Sequence, residues 1–174
     1  MMARSHVVVG VAAWIVAAPL LHLPVLDPAY LALAVAGSLL PDVDHPKSWI
    51  GRRSRPLSTM LGAALGHRGL THSAVAVLGL VALLQAGYHP GAVSALAIGY
   101  ASHLAADMLT PQGLPLTWPL RVAWGVPICR TGSRMESVVV VAVVCGVAWW
   151  LLAHWPLLRG SLAQRLLAHW PAMR

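Results

Sequence analysis

The segment VVVGVAAWIVAAPLLHLP, residues 7–24, carries no formal charge over 18 consecutive residues. A helix needs about 20 apolar residues to cross the hydrocarbon core of a bilayer. Four further apolar segments follow it, at residues 29–40, 73–88, 91–110 and 138–155. Backbone groups in lipid must be bonded internally, and no alternating barrel pattern is present, so these segments are predicted helices. The sequence therefore predicts an all-α polytopic membrane bundle of about five hydrophobic helices.

Composition supports a membrane protein. Hydrophobic residues make up 58% of the 174 residues and charged residues only 10%, with a mean hydropathy of +0.71. These values argue against a soluble domain and exclude a disordered chain. The motif LLAHWP occurs at residues 151–156 and again at 166–171. We therefore expect a membrane-embedded domain over residues 1–158 and a short interfacial tail over residues 159–174.

Basic residues indicate the orientation of the helices. The chain has 12 Lys and Arg against five Asp and Glu, a net charge of +7. With the N-terminus inside, nine of the 12 basic residues fall on the cytoplasmic side, and the loops around Asp27 and His89 contain none. This predicts an integral protein of a bacterial inner membrane. The charge is explained by orientation and by contact with membrane lipid, and no nucleic-acid-binding motif is present.

Histidines and carboxylates gather at the predicted helix ends. Ionisable groups at membrane depth are costly, so each is a candidate functional residue. With alternating helix direction, eight of them meet at the cytoplasmic face: His6, Asp42, Asp44, His67, His72, His103, Asp107 and Glu136. Four imidazoles and four carboxylates suit two or three divalent metal ions. We expect Gly66 and Gly69 to hold His67 in a turn, and His72 to open the next helix behind Thr71.

Parts of this set also have structural interpretations. His103 and Asp107 are four residues apart and could form an interhelical hydrogen-bonded pair. Asp42 and Asp44 could be turn formers. Glu136 completes a capping box with Ser133.

Three motifs connect the chain to a known family. PDVDHPKS (residues 41–48), GHRGLTHS (66–73) and GYASHLAADMLTPQGLPLTWP (99–119) resemble the YdjM-like family of predicted membrane-bound, metal-dependent hydrolases, some of them under LexA control. The resemblance covers roughly residues 6–136 and implies that all eight residues above are metal ligands. It implies a hydrolase without naming a substrate.

The expected activity is hydrolysis of a phosphoester, such as a phospholipid head group, by a metal-activated water. Asp44 or Asp42 would act as a base or bridge the ions, and Arg68, Arg134 and Arg52 would bind an anionic substrate. Mixed nitrogen and oxygen ligands favour Zn²⁺, with Mn²⁺ or Fe as alternatives. A metal-ion transporter and a non-catalytic metal-binding protein remain alternative functions. The sequence leaves the oligomeric state open.

Overall fold

Six α-helices form the fold in the part of the chain that the computed structural model describes, residues 1–65, 69–120 and 122–168. They are α1 (Ala3–Leu20), α2 (Pro28–Leu39), α3 (Arg55–Leu65), α4 (Ala74–Gln85), α5 (Pro90–Met108) and α6 (Arg134–Ala168). Short 3₁₀ turns follow α2 at Leu40–Asp44 and precede α4 at Leu70–His72. Only an isolated β-bridge, between Leu114 and Trp124, interrupts this pattern within those ranges. The predicted all-α class is confirmed.

Local sequence signals explain where the helices begin. Asp27 caps α2 by accepting hydrogen bonds from the backbone N–H groups of Ala29 and Tyr30, and Pro28 occupies the first helical position. Pro90 begins α5 in the same way. Proline suits this position because its missing N–H would have no partner there. Ser73, rather than Thr71, caps α4 through the N–H of Ala76, and His72 lies in the 3₁₀ turn before it.

The core is built on close contact between α2 and α5. A Cβ atom added at Gly99 would lie 2.0 Å from the Ala34 carbonyl oxygen, and one at Gly37 would lie 2.1 Å from the Leu96 carbonyl oxygen. Helix α1 packs against both helices, and its Trp14 is fully buried. Small residues at such crossings let membrane helices approach until their backbones touch.

All five predicted hydrophobic helices are present, but they differ in length. Helix α1 and the Arg134–His154 part of α6 are long and apolar enough to cross a membrane. Helices α2 and α4 have 12 residues each, or about 18 Å, which is shorter than the ~30 Å hydrocarbon core. The amphipathic helix α3 was not predicted. Helix α6 continues without a break from residue 158 into residue 159, where the tail was expected to begin.

Residues 109–133 connect α5 to α6, and we call this connection the strap; its described residues, 109–120 and 122–133, are non-helical. Leu114 and Trp124 exchange backbone hydrogen bonds of 2.9 and 2.8 Å across it. The N–H groups of Val126 and Ile128 donate to the carbonyl oxygens of Met108 and Leu109. The strap is therefore fixed to the C-terminal end of α5.

The contact between α2 and α5 predicts a pronounced effect of a single methyl group. Gly99→Ala forces a backbone shift, and overpacking of this kind costs about 1–3 kcal/mol. We expect a lower midpoint of thermal unfolding in detergent. Gly79→Ala in α4 is the matched control, because nothing lies within 4 Å of its added methyl group. Equal midpoints for the two variants would contradict the packing.

Candidate metal centre

Five of the predicted ligands meet where several helix ends converge. His6 lies near the start of α1, Asp42 in the 3₁₀ turn after α2, and His72 in the turn before α4. His103 and Asp107 lie one turn apart at the C-terminal end of α5. This convergence at one end of the bundle agrees with the alternation of helix direction expected from the sequence.

His103 is at the centre of the cluster and is fully buried. Its Nδ1 lies 2.7 Å from the backbone carbonyl oxygen of Ser38. A carbonyl oxygen only accepts hydrogen bonds, so Nδ1 carries the proton and Nε2 presents a lone pair. His103 Nε2 has no hydrogen-bond partner in the described part of the chain. It lies 3.9 Å from Asp42 Oδ1 and 3.7 Å from Asp107 Oδ2.

Two other imidazoles flank His103. The ring of His6 stacks on it with 3.7 Å between centroids, and the ring of His72 meets it edge-on at 5.4 Å. His6 Nε2 is 3.3 Å from Asp107 Oδ1, which the Met1 amino group also contacts. His72 Nε2 is 3.8 Å from Asp42 Oδ1. Nitrogen and carboxylate oxygen atoms therefore alternate around a small buried volume.

The ligand atoms form two overlapping groups suited to a metal ion. His6, Asp42 and His103 make one group, and His72, His103 and Asp107 make the other, with all ligand atoms of a group within 4.8 Å of one another. Two ligands held ~2.1 Å from a tetrahedral ion are themselves about 3.4 Å apart. Within the groups, His103 Nε2 lies 3.9 Å from Asp42 Oδ1 and 3.7 Å from Asp107 Oδ2, close to this spacing.

Thr71 connects Asp44 to His72. Its hydroxyl donates to Asp44 Oδ2 at 2.5 Å and lies 3.1 Å from His72 Nδ1. Since the hydroxyl proton is given to the carboxylate, the Thr71 oxygen accepts from His72 Nδ1–H. The tautomer of His72 is then the same as that of His103, with Nε2 turned toward Asp42. Tyr100 donates to the Thr71 carbonyl oxygen at 2.5 Å and fixes the turn.

Asp44 and Glu136 are placed differently from the other five predicted ligands. Asp44 is fully buried behind Thr71, and neither it nor Glu136 belongs to the two groups. Glu136 Oε1 accepts from Met2 N at 2.7 Å and from Ser5 Oγ at 2.5 Å, and Oε2 accepts from Gly132 N at 2.5 Å. The N–H of Glu136 donates to Ser133 Oγ, so half of the predicted capping box forms. Glu136 thus joins the starts of α1 and α6.

The remaining predicted residues are exposed arginines or lie outside the described residues. His67 and Arg68 lie outside the described residues. Arg52 and Arg134 are exposed, in the loop before α3 and at the start of α6. Cys129 and Cys145 are free thiols. Burial, followed by the nearby Glu136 carboxylate, raises the pKa of the Cys129 thiol, so that thiol stays protonated.

The sequence did not reveal the residues that orient the imidazoles. Ser38 acts through its backbone carbonyl group, which any residue could supply, so no sequence signal marks it. Thr71 directly precedes His72, and a hydroxyl group next to a histidine could have indicated a hydrogen bond to that histidine. We interpreted Thr71 as part of the start of α4 instead, a role that Ser73 fills.

Comparison with known proteins places the chain in a family. Residues 1–169 match the family described as YdjM inner membrane protein. The chain belongs to the YdjM inner membrane protein family. The inner membrane protein YdjM of Escherichia coli is 40% identical over 124 residues, which are 67% of this chain and 63% of that protein. The chain therefore spans less than two thirds of the length of that YdjM protein.

A more distant relative aligns over a greater length. The uncharacterized protein YvsG of Bacillus subtilis is 32% identical over 154 residues, covering 86% of this chain and 94% of YvsG. No solved structure matches the chain. Membership of the YdjM family confirms the resemblance seen in the three motifs and supports a location in the membrane.

Glu136→Gln tests the role of Glu136. The amide keeps one acceptor oxygen and places a donor against a backbone N–H, at a cost of about 1–3 kcal/mol. We expect a lower midpoint of thermal unfolding with unchanged metal content. Loss of metal at an unchanged midpoint would show instead that Glu136 is a ligand.

Proposed function

We propose that the chain is a membrane-embedded metal-dependent hydrolase that acts on a phosphoester, such as a phospholipid head group. The observation that supports it best is His103 Nε2, a buried lone pair facing Asp42 and Asp107 without a hydrogen atom between them. Lone pairs turned toward each other in an apolar interior are unfavourable unless a cation lies among them.

The donor set fits a divalent transition metal. Three imidazoles and two carboxylates are mixed nitrogen and oxygen ligands, which favour Zn²⁺ and permit Mn²⁺ or Fe. His6, Asp42, His72, His103 and Asp107 would hold the metal. Both groups use His103, whose single free nitrogen is Nε2, so they are two alternative placements of one ion, and a second ion would need a bridging carboxylate. When bound, such ions supply Lewis acidity and lower the pKa of a water molecule toward neutrality.

The chain's own residues would orient these ligands and accept a proton. Asp42 is the ligand reached from outside, because its side chain is 18% exposed while those of His72, His103 and Asp107 are at most 2% exposed. Asp42 is therefore the carboxylate better placed to take a proton from an attacking water. Asp44 is the other candidate base; its Oδ2 is held by Thr71 and its Oδ1 has no partner in the described residues.

Charge at this end of the bundle suits an anionic substrate in the cytoplasmic leaflet. Arg52 and Arg53 are exposed in the loop after the 3₁₀ turn that carries Asp42, and Arg130 and Arg134 are exposed close in sequence to Glu136. Positive loops remain in the cytoplasm, so the cluster would face that side. Guanidinium groups bind phosphate through two hydrogen bonds, and Arg52, Arg68 and Arg134 are the proposed contacts.

The position of the cluster favours hydrolysis over transport. Transporters bind ions near the middle of the bilayer, commonly where helices are interrupted. Here the ligands lie at the beginning of α1, the end of α5 and the turns beside α2 and α4.

Metal analysis of His103→Ala tests the proposal, because both groups share His103. We expect elemental analysis of the detergent-purified protein to find at least one bound divalent ion per chain. The His103→Ala variant should lose that metal and its phosphodiesterase activity while remaining folded. His154→Ala, which removes a histidine of α6 outside the cluster, is the control and should keep both.

Three results would contradict parts of this account. A parent protein that neither contains nor takes up metal would exclude the metal centre. Metal without hydrolysis of any phosphoester would favour a non-catalytic protein. Metal with ion flux in vesicles and no hydrolysis would favour a transporter.

Thr71→Val tests whether the hydroxyl orients His72. The variant keeps the shape of the side chain but removes the donor to Asp44 and the acceptor for His72 Nδ1–H. Loss of such a supporting contact costs about 10–100-fold in metal affinity. We expect that loss in competition with a chelating dye, and recovery in Thr71→Ser. Equal affinities of Thr71→Val and the parent would contradict the role.

A further inference from the structure

We propose that the strap inserts its outer edge into the lipid bilayer at the boundary between head groups and acyl chains. The observation is a row of large apolar side chains that nothing in the described part of the chain covers. Their exposed fractions are 36% for Trp118, 65% for Leu120, 54% for Val122, 49% for Trp124, 61% for Val126 and 49% for Ile128.

The outer edge of the strap consists of four large apolar residues, Val122, Trp124, Val126 and Ile128, each at least 49% exposed. Residues 122–128 are all exposed, and Cys129, which is 3% exposed, is the first buried residue after them. The backbone of this segment lies against the bundle, because a Cβ atom added at Gly125 would lie 2.8 Å from the Met108 carbonyl oxygen. The segment therefore crosses the surface of the bundle with its large apolar side chains, from Val122 to Ile128, uncovered.

The outer edge is held in place and not loose. Leu114 and Trp124 pair through two backbone hydrogen bonds, and Ile128 and Cys129 both donate to the Leu109 carbonyl oxygen at 3.0 Å. Such an apolar row on a fixed segment marks a contact with a membrane or with another protein.

Position and charge identify lipid as the partner. The strap leads directly into α6, whose Arg134–His154 part contains an apolar 18-residue stretch with no buried residue. Residues 109–135 contain three arginines and no acidic residue, which suits anionic head groups. Trp118 and Trp124 are of the residue type enriched at the membrane interface. An apolar edge beside arginines matches a segment lying about 5–10 Å deep at the boundary with the acyl chains.

The depth of the outer edge can be measured with a fluorescent probe. The parent for this experiment is Cys145→Ser, because Cys145 is exposed and Cys129 is buried. Val126→Cys in this parent is labelled with a nitrobenzoxadiazole probe and reconstituted in vesicles of phosphatidylcholine and phosphatidylglycerol. Gln112→Cys is the matched control, since Gln112 is an exposed polar residue of the same strap. The Cys145→Ser parent, treated with the same probe, establishes whether Cys129 reacts, and it should remain unlabelled.

We expect blue-shifted emission at Val126, with quenching by doxyl-labelled lipids several-fold stronger than at Gln112 and quenching by iodide several-fold weaker. Iodide access equal to that at Gln112 would place the edge in water and overturn the proposal. Protection from both quenchers would also overturn it, by showing that a second copy or another protein covers the edge. If Val126→Cys does not fold, Val122→Cys on the same edge gives the same test.

Discussion

The backbone contact between α2 and α5 is the constraint on which the rest of the structure depends. Gly37 and Gly99 remove the side chains that would keep the two helices apart. The end of α2 therefore lies against α5, and the Ser38 carbonyl oxygen reaches His103 Nδ1. That hydrogen bond sets the tautomer of His103 and turns its lone pair toward two carboxylates. The close approach of α2 and α5 therefore determines both the packing of small residues in the core and the orientation of His103 at the helix ends.

The sequence predicted the hydrophobic helices and most of the cluster because both follow from the order of residues along the chain: the length of each apolar segment and the ionisable residues at its ends. Uncharged segments predicted five hydrophobic helices, and alternating helix direction brought His6, Asp42, His72, His103 and Asp107 to the same end. Helix α3 was not predicted, because it is short and amphipathic and therefore differs from the long apolar segments that marked the other helices. Short helices such as α2 also show that an apolar segment need not have the length of a membrane span.

The finer arrangement depends on contacts that residue types do not encode. Ser38 contributes a backbone carbonyl group, and Thr71 contributes a hydroxyl that serves two partners at once. Glu136 was predicted as a ligand from its position at a helix end, and its carboxylate is engaged by three donors from two segments. The sequence placed Glu136 at this end of the bundle but could not assign each carboxylate oxygen to a metal ion or to a hydrogen-bond donor.

X-ray absorption at the metal edge of the purified, metal-loaded protein tests the central claim most directly, because it counts the imidazoles bound to the ion. The account predicts a nitrogen and oxygen shell at about 2.0–2.1 Å with scattering from at least two histidine rings per ion. A shell of oxygen atoms alone, without imidazole scattering, would contradict the assignment of His103 and its neighbours as ligands.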